Sequence, residues 1–221
     1  GGLPGALSRQ LRVAQGCDLG FNVGHFLFVY AAQRKNANGS DFPAATARHR
    51  AVILGMVERL KATPGVVGAT STAAIPFAVL AGTGGLDVHY GLEGTSIASG
   101  ATSQKAGFNV ASDDYFSTLG IPLTRGRAFT TSDRTGNEQV AIVSEAFATR
   151  AWPKGDALGQ KVRFLNDGAV GLWRTVVGVA ADARYHVSTT VPPEVYNPRH
   201  PAVAGTCVAL PIPGDPRRDL P

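Results

Sequence analysis

The sequence predicts an α+β fold made of many short strands and a few helices. The 27 glycines and 14 prolines among 221 residues indicate frequent turns and short elements. A single long segment, Ala44–Ala62, repeats its apolar residues with a helical period. Short segments rich in aromatic and β-branched residues lie on both sides of it, as is typical of strands.

The N-terminal part of the chain predicts a strand, a helix and a second strand. Gly24–Ala32 alternates loosely and carries aromatic residues, which indicates a strand. The helix follows, and the residues of its apolar face stand at i, i+3, i+4 and i+7: Ile53, Met56, Val57 and Leu60. Thr63-Pro64-Gly65 ends this helix because proline cannot continue the hydrogen-bond ladder. Val66–Thr72 is then predicted as a strand, so the unit is typical of a split βαβ arrangement or an α+β layer.

The middle of the chain predicts two strands and a short helix. The strands are expected at Leu86–Tyr90 and Ala106–Ala111. Ser112 is predicted to cap a helix that runs to Leu119 and ends at Gly120. Asp113 and Asp114 are then interpreted as charges in the first turn, because adjacent residues on a helix do not face each other as an acid/base pair would.

The C-terminal part predicts one more helix among several strands. Ser144 follows a buried strand and is expected to cap a helix that ends at Trp152-Pro153. Asn166-Asp167-Gly168 is a hairpin signal between two apolar segments. The predicted extended segments are Val140–Val143, Lys161–Leu165, Trp173–Ala181, a short Glu194–Asn197 and Thr206–Ile212.

Charge and cysteine content exclude several classes of function. The net charge is +5, but the 21 basic residues are scattered, which indicates solvated surface and no nucleic-acid partner. A weak attraction to an anionic membrane surface stays open. Cys17 and Cys207 form no CxxC motif and have no neighbouring histidine, so we expect no zinc site. They are either two unrelated thiols, which we favour, or a disulfide that joins the two ends.

No catalytic or cofactor motif is present, so we expect no enzyme activity and no cofactor. Ser144, Asp182 and His186 supply the residue types of a hydrolase triad, but the glycines of a nucleophile elbow are missing around the serine. The glycines at 82–85 lack the GK[ST] ending of a phosphate-binding loop. No window reaches the roughly 18–20 apolar residues of a membrane span. The chain begins at Gly1 and its one methionine is Met56, so we expect it to be a piece of a longer protein.

From Leu11 to Asp215 the chain resembles the periplasmic core domain of MacB-like ABC transporter permeases, within the FtsX-like permease group. Each matching piece is weak alone, and it is their common order that supports the fold. The pieces are Gly20-Phe21, LKATPGVVGA (60–69), Ile75-Pro76, YFSTLGIPLTRGR (115–127), FTTSDR (129–134), VAIVSEAFATRAW (140–152), Leu158-Gly159, WRTVVGVAAD (173–182) and PEVY (193–196).

The resemblance implies a two-lobed domain. A porter-like βαβ lobe would comprise residues 21–74 and 204–221, and an inserted mixed α/β lobe, called Sabre in the family, residues 75–203. Residues 1–20 would be a membrane-proximal segment. The family normally continues with a further helix and strand, so whether the porter-like lobe is complete at Pro221 stays open.

The resemblance also implies a function. The domain would lie in the periplasm between two membrane helices of an inner-membrane permease, and would couple helix motion to a substrate or periplasmic partner without catalysis. Its implied partners are the membrane-embedded remainder of the permease, a cytoplasmic ATPase domain or subunit and a periplasmic adaptor. A dimer is implied for the full transporter and a monomer for the isolated domain. The alternative is a stand-alone extracytoplasmic ligand-binding module whose pocket would be lined by Trp152, Trp173 and Tyr185.

Two segments are candidates for partner contact. The first is an apolar segment near the boundary between the lobes, with Ile75, Pro76 and Phe77. The second is a basic segment that combines arginines with an aromatic residue, with Arg125, Arg127, Phe129 and Arg134. Arg127 and Asp133 have an alternative interpretation, which we favour slightly, as an ion pair that braces a turn.

Overall fold

The computed structural model describes residues 26–31, 42–72, 86–95, 104–135, 138–166, 169–183, 193–198 and 206–211. These residues form eleven strands and four helices. The strands are β1 (Phe26–Ala31), β2 (Thr70–Thr72), β3 (Leu86–Leu92), β4 (Lys105–Val110), β5 (Leu123–Gly126), β6 (Val140–Ser144), β7 (Lys161–Asn166), β8 (Ala169–Val170), β9 (Arg174–Ala180), β10 (Glu194–Asn197) and β11 (Thr206–Pro211). The helices are α1 (Phe42–Lys61), α2 (Tyr115–Leu119), α3 (Thr131–Thr135) and α4 (Glu145–Ala151). Of the described helices, none is both long enough and apolar enough to cross a membrane.

A three-stranded sheet contains both ends of the described chain. Its order is β1-β11-β2, and β11 is antiparallel to both neighbours, with Cys207 opposite Tyr30 on one side and Thr72 on the other. The two strands that flank α1 therefore run in the same direction with β11 between them, which confirms the split βαβ prediction. Helix α1 buries Ile53 and Val57 against Ala69, with Met56 and Leu60 partly buried beside them, so the predicted apolar face is also confirmed.

The larger sheet has eight strands in the order β5-β9-β6-β10-β4-β3-β7-β8. Strand β10 lies inside it, parallel to β4 and antiparallel to β6, and β6 is parallel to β9. The body of the molecule is dominated by this sheet, so the α+β prediction is confirmed. The division into porter-like and Sabre-like lobes stays a prediction.

Two apolar cores cover opposite faces of the eight-stranded sheet, because alternate residues of a strand point to opposite sides. Helix α4 contributes Phe147 and Ala148 to the first core, which also contains Val143 of β6. Helix α2 contributes its aromatic residues to the second core, where Ile142 of β6 and Tyr196 of β10 meet them. The sheet therefore holds one helix on each face.

Several element boundaries differ from the sequence predictions. Strand β2 begins at Thr70 and not at Val66, since residues 66–69 form no ladder. Helix α2 begins at Tyr115 with Asp114 before it and has no side-chain cap, so the prediction that Ser112 caps it is wrong. The hairpin partner of β7 is the two-residue β8, while β9 pairs mainly with β5 and β6 and touches β7 only at its start. The predicted caps at Ser144 and Gly120 are confirmed, the latter with a φ of 67°.

The backbones of β5 and β9 approach closely at two glycines that lie opposite each other, Gly126 and Gly178. Gly126 has a φ of 72°, which disfavours any side chain. A Cβ atom on Gly178 would lie 2.5 Å from the carbonyl oxygen of Arg127 and 3.2 Å from Cγ1 of Ile142. The outermost strand of the sheet therefore depends on the absence of side chains here.

We expect Gly178→Ala to lower the free energy of unfolding by about 1–3 kcal/mol, because β5 must move away to accept the methyl group. Urea unfolding would measure the change. The matched control is Gly155→Ala, since nothing lies within 4 Å of the Cβ position at Gly155. That control should change stability by less than about 0.5 kcal/mol. Equal effects of the two substitutions would contradict the close approach.

Candidate functional site

The structure separates the two candidate contact segments. Ile75, Pro76 and Phe77 lie outside the described residues. The basic segment begins on β5, the outermost strand of the eight-stranded sheet, and continues into α3. Edge strands present backbone groups that no neighbouring strand pairs, so this side of the sheet is accessible in a way that its centre is not.

Each arginine of the basic segment is held by a carboxylate. Arg125 Nη1 lies 2.9 Å from Asp156 Oδ1, and Arg134 Nη2 lies 2.9 Å from Asp113 Oδ2. Arg127 donates two parallel hydrogen bonds to Asp133, of 2.7 and 3.0 Å. The ion pair that the sequence suggested for Arg127 and Asp133 is therefore present, and a bidentate pair of this kind fixes the guanidinium plane.

Asp133 also anchors the start of α3. Its Oδ2 accepts hydrogen bonds from the backbone N–H of Thr130 at 2.7 Å and from the Thr130 hydroxyl at 2.8 Å. The Arg127 hydrogen bonds hold the pKa of Asp133 at about 2, below its ordinary value of 3.8, against the opposing effect of burial. The T-x-x-D spacing of Thr130 and Asp133 is a capping-box signal that the sequence interpretation missed.

Phe129 is not part of an exposed contact surface. Its side chain is 3% exposed, and its ring centroid lies 6.3 Å from that of Phe116 in the second core. The chain alternates here between the half-exposed Arg127 and the buried Phe129, because the residue two positions on points into the core. Of the four residues named in the basic segment, only the arginines reach solvent.

We expect Asp133→Asn to lower the free energy of unfolding by about 1–2 kcal/mol at pH 7, a range reduced for the solvent around half-exposed Arg127. The pKa of Asp133 is lowered by folding, so its contribution is complete above pH 3.8 and is lost as the pH falls through 2. Unfolding measured at pH 7 and pH 2 tests this. Asp156→Asn breaks a pair whose partners are 43% and 59% exposed, and serves as the control. A deficit in Asp133→Asn that is the same at both pH values would contradict the assignment.

A buried polar joint connects the two sheets. We define the intersheet joint as Thr70, Ser71, Thr72, Asn109, Ser112 and Tyr115. The hydroxyl of Thr72 donates to Asn109 Oδ1 at 2.8 Å, and Asn109 Nδ2 donates to the Tyr115 hydroxyl at 3.2 Å. Thr72 and Asn109 are each 1% exposed, and Tyr115 is fully buried. Hydrogen bonds in such a dry environment are costly to break, so the joint holds β2 against β4 and α2.

Further contacts strengthen the same joint. The hydroxyls of Thr70 and Ser112 are 2.6 Å apart, and the backbone N–H of Ser112 donates to the carbonyl of Ser71 at 3.3 Å. On the outside, Lys61 at the end of α1 forms an ion pair with Asp114. The sequence interpretation missed this joint, because its residues are contributed by segments about 40 positions apart.

The structure gives structural roles to the residues of the hydrolase hypothesis that it describes. The Ser144 hydroxyl is fully buried and accepts hydrogen bonds from the backbone N–H groups of Phe147 at 3.2 Å and Glu194 at 3.0 Å. Asp182 accepts a hydrogen bond from the N–H of Ala146 at 2.8 Å. His186 lies outside the described residues. Ser144 is therefore a helix cap that also holds the start of β10.

The aromatic residues of the pocket hypothesis pack against their surroundings. Trp152 is partly buried, with its ring 5.9 Å from that of Phe147. The guanidinium of Arg163 stacks over Trp173 at 4.4 Å from the ring centroid. Tyr185 and Cys17 lie outside the described residues. Within the described part of the chain, no three His, Cys, Asp or Glu side chains are grouped as metal ligands.

The comparison with known structures supports the fold. The periplasmic region of MacB from Actinobacillus actinomycetemcomitans is similar at 15% identity and a TM-score of 0.51, over 90% of this chain and 80% of that one. The extracellular domain of the ABC-type transporter YknZ from Gram-positive bacteria matches at 16% identity and 0.45, over 72% and 71%. A domain of a permease protein from Porphyromonas gingivalis matches at 18% identity and 0.44. That match covers 68% of this chain and 64% of the other, so the chain spans less than two thirds of that domain.

No curated protein matches the chain. The family described as MacB-like periplasmic core domain matches it over residues 22–204, which include every described strand and helix except β11. Because this match spans most of the sequence, the chain belongs to the MacB-like periplasmic core domain family.

Proposed function

We propose that this chain is the extracytoplasmic domain of an ABC-type transporter permease, and that it transmits the motion of membrane helices to a substrate or periplasmic partner without catalysing a reaction. The observation that carries the proposal is the family match over residues 22–204. Among similar structures, YknZ is described as an ABC-type transporter and the Porphyromonas gingivalis protein as a permease. The domain would lie on the periplasmic side of the inner membrane.

The intersheet joint supports a transmitting role. The three-stranded sheet contains both ends of the described chain, at Phe26 in β1 and Pro211 in β11, so membrane helices attached to the chain ends would act on this sheet first. In the two-lobed arrangement that we propose, residues 21–74 and 204–221 form one lobe and residues 75–203 the other. The Thr72–Asn109–Tyr115 hydrogen bonds then join the lobes and carry movement from one to the other.

The proposed partners follow from the same role. They are the membrane-embedded part of the permease, a cytoplasmic ATPase domain or subunit, and a periplasmic adaptor. We propose a dimer in the full transporter and a monomer for the isolated domain. The contact residues would be Ile75, Pro76 and Phe77 together with Arg125, Arg127 and Arg134.

The contact role of Arg125 can be separated from its ion pair by two matched variants. Arg125→Ala and Asp156→Ala remove the same exposed pair, so each should change stability by less than about 1 kcal/mol. The Arg125 variant alone also removes a guanidinium from the edge of the sheet. Transport by the full-length protein should fall in the Arg125 variant and be kept in the Asp156 variant. Equal transport in both would contradict the contact role.

The membrane arrangement is tested on the full-length gene. We expect hydrophobic spans of about 20 residues on both sides of the domain, as a permease loop domain requires. Reporter fusions before and after the domain should both report the cytoplasmic side of those spans. A cleavable signal peptide with no downstream span would reject the permease proposal and favour a stand-alone binding module.

A further inference from the structure

Glu194 occupies an unusual position for a carboxyl group. It is the first residue of β10, inside the eight-stranded sheet, and its side chain is almost completely buried, at 3% exposure. Its backbone N–H donates to the hydroxyl of Ser144, which ties the start of β10 to the cap of α4. Acidic side chains are rarely buried this fully unless they are paired.

A glycine makes room for this carboxyl group. Gly107 of β4 lies opposite Glu194 on one side and opposite Asp87 of β3 on the other. Residues opposite each other in neighbouring strands point to the same face, so the three form a row across the centre of the sheet. A Cβ atom on Gly107 would overlap the carboxyl atoms of Glu194. The Glu194 carboxyl group therefore lies over the backbone of β4 in the space that glycine leaves free.

The charges near Glu194 do not neutralise it. Among the ion pairs of the described residues, none includes Glu194. Burial first, and then the negative charge of Asp87, raise the pKa of Glu194 from 4.5 to about 8. The titratable or charged groups on the described elements beside it are Asp87 and His89 of β3, Lys105 of β4, Glu145 and Arg150 of α4, and Asp182 after β9.

We propose that Glu194 and Asp87 form a proton-binding site at the centre of the eight-stranded sheet. Glu194 holds one proton in the folded domain at neutral pH and gives it up to solvent in mildly alkaline conditions. The carboxylate that remains is buried next to a second negative charge, so it loosens the pairing of β10 with β4. This site is independent of the proposed transport role, because it concerns the folded domain alone.

The direct test follows the carboxyl carbon of Glu194 by NMR while the pH is changed, in the whole 221-residue chain. We expect its titration midpoint near 8, and a midpoint near 4.5 would overturn the proposal. Asp87→Asn should move the midpoint down, because it removes the neighbouring negative charge. Asp156→Asn, at the β5 side of the sheet, is the matched control and should leave the midpoint unchanged.

A second variant tests the geometry. Gly107→Ala should push the carboxyl group out of the space over β4 and towards solvent, so the Glu194 midpoint should fall towards 4.5. The wild-type titration decides the proposal by itself if this variant does not fold. A folded Gly107→Ala chain with an unchanged midpoint would contradict the role of the glycine.

The consequence for stability is tested by Glu194→Gln. The pKa of Glu194 is raised by folding, so its contribution to stability is complete below pH 4.5 and is lost as the pH rises towards 8. Over that range the unfolding equilibrium constant of the wild type should gain up to about tenfold per pH unit relative to the glutamine variant. Parallel pH profiles for the two proteins would overturn the proposal.

Amide exchange tests the loosening of β10. After correction for the intrinsic rate, protection of the β10 and β4 amides should fall about tenfold or more between pH 6 and pH 9 in the wild type. The glutamine variant should keep its protection over the same range. Loss of protection to the same extent in both proteins would show that ionisation of Glu194 does not control the strand pair.

Discussion

Alanine at Phe147 is expected to lower the free energy of unfolding by about 3–5 kcal/mol, the largest effect of any single substitution considered for this domain. The Phe147 ring is fully buried between α4 and the eight-stranded sheet. Its centroid lies 4.7 Å from that of Tyr90 on β3 and 5.9 Å from that of Trp152. Removing the ring leaves a cavity that the sheet, fixed by its hydrogen-bond ladders, cannot close.

Urea unfolding followed by circular dichroism would measure this loss. The control is Leu172→Ala, because Leu172 is 68% exposed and its truncation should change stability by less than about 0.5 kcal/mol. Phe147→Leu should lie between the two, since leucine fills part of the space. A loss below about 1 kcal/mol for Phe147→Ala would mean that α4 does not depend on this contact.

Alanine at Asn109 is expected to lower the free energy of unfolding by about 2–4 kcal/mol, because several buried polar groups lose this partner at once. Asn109 accepts a hydrogen bond from the Thr72 hydroxyl and donates one to the Tyr115 hydroxyl, and both bonds are buried. Its Oδ1 also accepts a hydrogen bond from the backbone N–H of Val110 at 2.7 Å. The substitution therefore removes the centre of the intersheet joint.

Tyr115→Phe is the matched control, since it removes one hydroxyl of the joint and keeps the ring in the second core. It should cost about 1 kcal/mol, and the double variant should cost less than the sum of the two, because the residues share a hydrogen bond. The joint also predicts that Asn109→Ala separates the unfolding of the sheets. Amide exchange in β1 and β11 should then become faster than in β6 and β9. Exchange that stays equal in both sheets would contradict the role of the joint.

Local signals in the sequence predicted the elements that depend on local physics. The apolar period of α1 predicted its buried face, and Ser144 and Gly120 predicted helix ends, because caps depend on neighbouring residues only. The bracing of α3 by Asp133 had a local signal as well, in the Thr130–Asp133 spacing, and was found only as an ion pair with Arg127.

Strand β10 shows where local signals end. Its four residues are too few to show a period, and the sequence indicated only a short extended segment. The structure makes it an internal strand, because it pairs with β4 and β6, which lie about 50 or more residues away in the chain. The burial of Glu194 and the approach of Gly126 to Gly178 depend on the same long-range pairings.

The sequence by itself determined the α+β class, the split βαβ unit, the buried face of α1 and the family resemblance, since each depends on residue types in a fixed order along the chain. Only the tertiary structure decided the strand order, the intersheet joint, the burial of Phe129 and the surroundings of Glu194. The physical reason is that hydrogen bonding and burial in a sheet are set by the neighbouring strands. Those neighbours come from distant parts of the chain, and no local pattern of residues specifies them.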